Sequence, residues 1–314
     1  MKKFCLIVFA FVMIFFIAGC DGSREDINGV ETINFAELED DLGRKVILKD
    51  KPERIAVTSA SFLEPIHEIG GNIVARPDSK NKTPDWAKDI PSIGQVYNID
   101  VERLLSCDPD IVIINKGMNE KIIDILEKNK IITIVMSMKT LEEVHRGIQI
   151  FAKLNGNVEK GEELNKKIDN DIADIVNKVP KEIKNVAILH VTAQGINIQS
   201  DESIAGNIAK MFSWKNVASN MTFIDESPDT VPYSLEKLAT QNPEIIFITS
   251  MGNLEEIKRS TENLMKNNES WQAISAAKNN KVYFLPQDLF LLSPGLHYPE
   301  AVKKMAELVY PDNF

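Results

Sequence analysis

A two-lobed α/β protein is the fold class that this 314-residue sequence predicts: two Rossmann-like lobes with central parallel sheets, joined by one long α-helix. Three observations carry that prediction. Short apolar runs alternate with amphipathic helical stretches along most of the chain, as in parallel strands covered on both faces. One segment recurs 134 residues later in the same order. Between the two copies lies a helical stretch long enough to bridge lobes. Composition agrees, with 44% hydrophobic and 26% charged residues. That balance builds a buried core and excludes both a disordered chain and a multi-span membrane protein. The formal charge of −10 argues against a nucleic-acid partner, which selects for Lys and Arg.

The N-terminus stands apart from the fold. Lys2 and Lys3 precede 14 apolar residues at 4–17, a run shorter than a bilayer span. Ile17-Ala18-Gly19-Cys20 follows, and it looks like a bacterial lipobox. The expectation is a signal peptide over 1–19, lipidation of Cys20 and a polar tether over 20–31. An ordinary signal cleaved after Gly19, or an anchor helix, is the plainer alternative. Loss of residues 1–19 removes two lysines and takes the formal charge to −12. Of the three cysteines, Cys5 leaves with the signal and Cys20 carries lipid, so Cys107 has no disulfide partner. Its apolar surroundings read as those of a small buried hydrophobe.

An N-terminal lobe is expected over 32–156. Asp41-Leu42-Gly43-Arg44 between two alternating runs predicts a β-hairpin. Strands are expected at 55–57, 111–114 and 131–135, and helices at 62–69, 120–128 and 141–154, the first stopped by Gly70-Gly71. Leu164, Ile168, Ile172, Ile175 and Val179 then recur at helical spacing. They predict one amphipathic helix over 157–180, with Asn157 as N-cap and Pro180 as terminator. At 1.5 Å per residue it would be about 33 Å long. A C-terminal lobe over 181–314 repeats the alternation, with strands at 186–189, 245–249 and 282–285 and helices at 203–212, 234–240, 254–267 and 299–309.

The repeat pairs Val101-Glu102-Arg103-Leu104 and Asp108-Pro109-Asp110-Ile111 with Leu235-Glu236-Lys237-Leu238 and Asn242-Pro243-Glu244-Ile245. Each copy reads as helix, tight Pro turn and buried strand, so the two halves are structural copies. No phosphate-binding P-loop, nucleophile elbow or His-Glu-x-x-His helix occurs, and no two of His67, His145, His190 and His297 share metal-ligand spacing. Catalysis and bare-metal binding are therefore unsupported.

Ligands of open parallel sheets bind at the carboxyl ends of the strands. The candidate pocket residues in the first half are Thr58, Ser59, Ser61, Tyr97, Lys116 and Met118. In the second half they are His190, Gln194, Tyr233, Met251, Gln287 and Phe290. Tyr97 equally suits packing on a sheet end, the two Met suit core filling, and His190 suits a structural role. His67 and His145 read as surface or packing residues, and His297 as a weaker pocket candidate. Glu102 and Glu236 hold the same place in the two copies. They suit helix N-terminal stabilisation or a symmetric pair of acidic posts for Arg on a two-subunit partner.

These segments resemble a known family. Asp41-Leu42-Gly43-Arg44 with Pro52-Glu53-Arg54-Ile55 is similar to the opening of iron-complex, haem and vitamin B12 substrate-binding proteins of ABC importers. Ile93-Gly94-Gln95 through Val101-Glu102 to Pro109-Asp110-Ile111 resembles that family's most recognisable segment. Tyr233-Ser234-Leu235-Glu236 with Pro243-Glu244-Ile245 matches its second-lobe counterpart, and Trp271 through Val282-Tyr283 its closing stretch. The resemblance covers about residues 32–310. It implies two lobes on a rigid helix with limited closure, no catalysis, no cofactor, and delivery to an ABC permease dimer with its ATPase. It places Arg-pairing glutamates at Glu102 and Glu236. One branch holds haem with a Met after the Gly-Gln pair and a His after the second repeat strand. Tyr97 and Met251 stand there in this chain, and both residue types can ligate haem iron.

The sequence therefore predicts an extracytoplasmic, lipid-anchored, monomeric receptor for haem or a ferric siderophore. Tyr97, Met118, Lys116, His190, Tyr233, Met251 and Ser59 are its expected ligand-binding residues, and Glu102 and Glu236 its docking residues. Lys116 and Arg76 are the only obvious basic groups near strand ends, thin support for a strongly anionic ligand. Vitamin B12 or another metal chelate is the alternative within the class. A surface hydrolase using Ser59 or Ser61 near His190, and a lipoprotein with a vestigial cleft, are alternatives outside it.

Overall fold

The computed structural model describes residues 34–79, 83–192, 195–219, 230–251 and 254–314. The expected signal peptide, Cys20, the tether and Gln194 lie outside the described residues. Strands β1 (Ala36–Glu39) and β2 (Lys45–Leu48) form the expected antiparallel hairpin, with Gly43 at φ +73° in its turn. The first half continues with β3 (Ile55–Val57), α1 (Leu63–Ile69), β4 (Ile73–Asp78), β5 (Ser92–Gln95), β6 (Asn98–Ile99), α2 (Val101–Ser106), β7 (Ile111–Asn115), α3 (Ile123–Lys128), β8 (Ile132–Met136) and α4 (Leu141–Asn155). Its sheet has the order β6-β5-β4-β3-β7-β8, and only β6 runs antiparallel to its neighbour.

Helix α5 (Val158–Val176) leads into the second half. There follow β9 (Asn185–Thr192), β10 (Gly195–Gln199), α6 (Ile204–Met211), β11 (Lys215–Asn216), β12 (Thr230–Pro232), α7 (Leu235–Gln241), β13 (Ile245–Ser250), α8 (Leu254–Lys266), α9 (Glu269–Gln272), α10 (Ser275–Lys278), β14 (Val282–Phe284), α11 (Gln287–Phe290) and α12 (Tyr298–Val309). The second sheet has the order β12-β10-β9-β13-β14, with β11 on β9. β9, β13 and β14 are parallel, as the alternation predicts, whereas β10 and β12 are antiparallel and were not legible as strands.

One core joins the halves. Ile55 and Ile111 of the first sheet and Ile188 and Phe247 of the second belong to a single buried cluster. Helices α4, α5 and α12 complete it through Phe151, Ile168, Ile172 and Met305. The opposite face of each sheet has a cluster of its own. Helix α5 is shorter than expected, at 19 residues and about 28 Å. It ends at Val176 because Lys178 and Val179 donate to carbonyls three residues back, tightening the last turn before Pro180. Asn157 does not cap it with its side chain, and Nδ2 donates instead to Ile69 O at 3.3 Å. Cys107 is half-buried rather than buried.

The repeat is exact in its backbone devices. Asp100 and Ser234 cap α2 and α7 by accepting the N–H groups of Arg103 and Lys237. Asp108 and Asn242, each before a Pro, both adopt left-handed backbone at φ +48° and +45°, a conformation short polar side chains tolerate. Asp110 N donates to Arg54 O while its carboxylate accepts from Glu53 N and Arg54 N. Glu244 N donates to Asn185 O while its carboxylate accepts from Asn185 N.

Strand β8 is a sheet edge, and an open edge invites unwanted pairing. The hairpin turn covers it. Asp40 Oδ2 accepts from Val135 N, Asp41 N donates to Val135 O, and Asp41 Oδ2 accepts from Ser137 N. Burial alone would raise the Asp40 pKa. Hydrogen bonds from Arg44, Val135 and Leu42 outweigh it and hold the carboxyl below its ordinary value. Removing one member of a buried, paired set leaves the others uncompensated. Asp40→Ala should lower the unfolding free energy by about 3 kcal/mol in urea denaturation. A loss within the scatter of ordinary surface substitutions would contradict this docking role.

Candidate functional site

The parallel strands of each sheet end on one edge, and the loops beyond those ends carry the candidate residues. In the first half, Tyr97 sits in the two-residue turn between β5 and β6 and is 69% exposed. Gly94 makes that turn feasible. Its φ is +93°, and a Cβ there would lie 2.8 Å from Asn98 O. Met118, in the turn after β7, is 36% exposed. Lys116 is exposed, and its Nζ donates to Asp41 O at 2.9 Å. Thr58 is buried, and its Oγ1 accepts from Asn115 N at 2.8 Å, tying the ends of β3 and β7. Ser59 is 3% exposed and accepts from Ser61 N, so it caps a turn rather than lining open surface.

In the second half, Met251 follows β13 and is 52% exposed. His190 lies within β9, with Nδ1 3.0 Å from Thr249 Oγ1. The Thr249 hydroxyl is in turn 3.1 Å from Gln199 Oε1. These three form a half-buried polar patch at the carboxyl end of the second sheet. Tyr233 stacks on Trp271 with ring centroids 6.3 Å apart. Burial pushes its hydroxyl pKa up to about 12. Its position is that of a packing residue. Phe290 is buried in the core, and Arg76 is buried with its guanidinium donating to the carbonyls of Ala87, Pro77 and Lys88. Both therefore leave the set of surface candidates.

Glu102 and Glu236 are exposed in the first turns of α2 and α7, and neither pairs with a cation among the described residues. Helix α2 follows β6, which runs antiparallel to β5 away from the Tyr97 turn, and α7 follows β12. His67 stacks on Trp86 at the surface, and His145 Nε2 lies 3.0 Å from Asp169. Among the described residues no group of three or more His, Cys, Asp or Glu could hold a metal ion.

His297 proves more consequential than its sequence context indicates. Nε2 is 2.6 Å from Glu64 of α1 and Nδ1 2.8 Å from Glu300 of α12. The three line a cavity of about 250 Å³, together with Ala60, Ser61 and Asp288, between the ends of β3 and β14. Further ties join the halves nearby. Ser61 Oγ donates to Ser293 O, whose own hydroxyl donates to Met138 O, and Asn207 Oδ1 accepts from both Leu141 N and Tyr298 OH. Apart from Glu300, three residues from His297, none of these partners is close in sequence, so spacing could not reveal them.

Against this geometry, comparisons with known proteins are direct. The model of the periplasmic binding protein family matches residues 55–289. The chain belongs to the periplasmic binding protein family. It is 23% identical over 286 residues to the uncharacterized ABC transporter substrate-binding lipoprotein YvrC of Bacillus subtilis, covering 88% of this chain and 86% of that protein. A crystal structure of an ABC transporter substrate-binding protein from Listeria monocytogenes EGD-e superposes with a TM-score of 0.75 at 23% identity, covering 83% of this chain and all of the other. The structure of IsdE from Staphylococcus aureus complexed with heme gives 0.72 at 24% identity, covering 82% and 98%. At these identities the solved structures establish the two-lobed fold.

Both nitrogens of His297 face carboxylates. The hydrogen bond that its Nε2 donates to Glu64 raises its pKa first, opposed by desolvation and reinforced by Glu300, to about 9. A folded pKa above the unfolded value near 6.5 stabilises fully below pH 6.5 and fades as pH rises through 9. The imidazole is 46% exposed, so solvent screening reduces the contribution to about 1 kcal/mol. Wild type should lose that increment between pH 6.5 and 9.5 in thermal melts, and His297→Ala should not. Parallel pH profiles for the two proteins would contradict the bridge.

Proposed function

We propose that this chain is a carrier: the substrate-binding lipoprotein of an ABC importer, which captures a ferric complex between its lobes and delivers it to a membrane permease. Family membership supports the class of protein. The observation that carries the cargo reading is the exposure of Tyr97, Met118 and Met251, three large polarizable side chains on the carboxyl edges of the two sheets. Single exposed apolar residues are ordinary, but this set spans both lobes on the edge where ligands of parallel sheets bind. Tyr and Met both ligate haem iron. Of the two basic groups that the sequence singles out near strand ends, Lys116 donates to the Asp41 carbonyl and Arg76 to backbone carbonyls. That favours haem over a strongly anionic siderophore. IsdE, complexed with heme in its crystal structure, shares the fold.

In this reading Tyr97 and Met251 are the iron ligands, Met118 packs on the porphyrin face, and His190 stands behind it in the polar patch. Tyr233 supports the second lobe from within. Glu102 and Glu236 meet arginines of the permease, and one molecule carrying both posts functions as a monomer. Cys20 carries the lipid that holds the carrier beside its permease outside the cytoplasm. No helix among the described residues is long and apolar enough to cross a membrane. The chain supplies binding and delivery, not catalysis.

Hemin titrated into residues 21–314 should give a saturating one-to-one shift of the Soret band. Tyr97→Phe and Met251→Ala should each alter that spectrum and weaken binding by about tenfold or more. A flat difference spectrum would sink the haem assignment and direct the search to ferric siderophores. Changing Glu102 and Glu236 together to Ala should abolish uptake in cells while hemin affinity stays at the wild-type value. An equal loss of affinity would overturn the docking role.

A further inference from the structure

Asn119 is fully buried, although Lys116, Gly117 and Met118 immediately before it are exposed. Its Nδ2 donates to Val96 O at 2.8 Å, 23 residues away in sequence. Val96 precedes Tyr97 in the β5–β6 turn, and Met118 precedes Asn119 in the turn after β7. One side-chain hydrogen bond therefore links the two loops that bear the exposed Tyr97 and Met118.

The link is not a consequence of sheet pairing. β4 and β3 lie between β5 and β7 in the sheet, so the ends of β5 and β7 are three strand spacings, about 14 Å, apart. The loop after β7 must fold across the ends of two intervening strands to reach Val96. Its backbone is shaped for that path. Gly117 takes φ +83°, Gly117 N donates to Glu120, and both Met118 N and Asn119 N donate to Asn115 O. Asn115 N is itself held by Thr58 Oγ1 at the end of β3. The Asn119 Oδ1 is buried with no hydrogen-bond partner among the described residues. A buried acceptor left without a partner is unfavourable. The amide orientation is thus set by the Nδ2 bond to Val96 rather than by satisfaction of both ends.

We propose that Asn119 is a positioning residue for the cargo face: it holds the Tyr97 and Met118 loops together as one surface. The proposal rests on the reading of Tyr97 and Met118 as cargo-facing, and it adds the group that fixes their mutual placement. Asn119 itself has no exposed surface to offer a ligand.

The test compares Asn119→Ala and the similarly sized Asn119→Leu with Asn155→Ala. Asn155 is also buried and donates its amide to a carbonyl, Phe151 O, but at the C-terminal end of α4 beside Gly71, away from the cargo edge. Two readouts are taken on residues 21–314. The first needs no ligand: the methionine methyl NMR signal of Met118 and amide hydrogen exchange over residues 95–99. The second is hemin affinity. Both Asn119 variants should shift the Met118 methyl signal and speed exchange over 95–99 by at least tenfold. They should also weaken hemin binding by at least tenfold. Asn155→Ala should lower thermal stability without any of these effects. An unmoved Met118 signal with unchanged exchange would overturn the proposal, whether or not hemin binds. So would intact hemin affinity in variants whose loops have come apart. Failure of wild type to bind hemin would defeat the haem reading alone, because the ligand-free readout still decides whether Asn119 couples the loops.

Discussion

In each half of the molecule a two-way backbone clamp fixes the central pair of strands. Asp110 gives its N–H to Arg54 O and receives Arg54 N–H on its carboxylate, and Glu244 makes the same exchange with Asn185. The clamp sits where the strands begin and pins their register. Ile55 then faces Ile111, and Val186 faces Ile245. Once the beginnings are aligned, the carboxyl ends finish on one edge, and the loops bearing Tyr97, Met118 and Met251 emerge together. The left-handed residues Asp108 and Asn242 turn the chain tightly enough to deliver the clamping acid. Site geometry at one end of each sheet thus depends on hydrogen bonds at the other.

The two halves are copies in these devices but not in their surroundings. The first sheet has a covered edge, because the Asp40–Asp41 turn of the hairpin satisfies the outer backbone of β8. The second sheet instead grows antiparallel strands β10 and β12 beside β9. A shared core through α4, α5 and α12 packs the two sheets against the same helices. The bonds of Ser61 to Ser293, Leu141 to Asn207 and His297 to Glu64 cross between the halves.

Much of this was legible in the sequence. Strands over 55–57, 111–114 and 245–249 were marked by buried apolar runs, and helix 141–154 by its periodicity, because local pattern and tertiary burial agree there. The repeat marked the acids after Pro109 and Pro243 as equivalent positions, but their hydrogen bonds to Arg54 and Asn185 were not legible. Strand β4 escaped notice because Arg76 and Pro77 break its apolar run, and β10 because its residues alternate weakly. The end of α5 was placed too late because Val179 continues the helical spacing after the hydrogen-bonding pattern has already changed. For the site, strand-end logic singled out Tyr97, Met118 and Met251, which the structure leaves exposed. It could not distinguish them from Tyr233 and Phe290, which sit at comparable places in sequence but turn inward. Asn119 and His297 act through partners 23 and more than 200 residues away, and one-dimensional spacing carries no trace of such contacts.

The central claim is that cargo is held by the loops at the carboxyl edges of both sheets at once. Hydrogen–deuterium exchange of residues 21–314 with and without saturating hemin tests it most directly. The account predicts added protection at 95–98 and 115–119 in the first half and at 249–251 in the second, with residues 53–55 and 184–186 at the opposite strand ends unchanged. Protection confined to one half, or strongest at the strand beginnings, would contradict it.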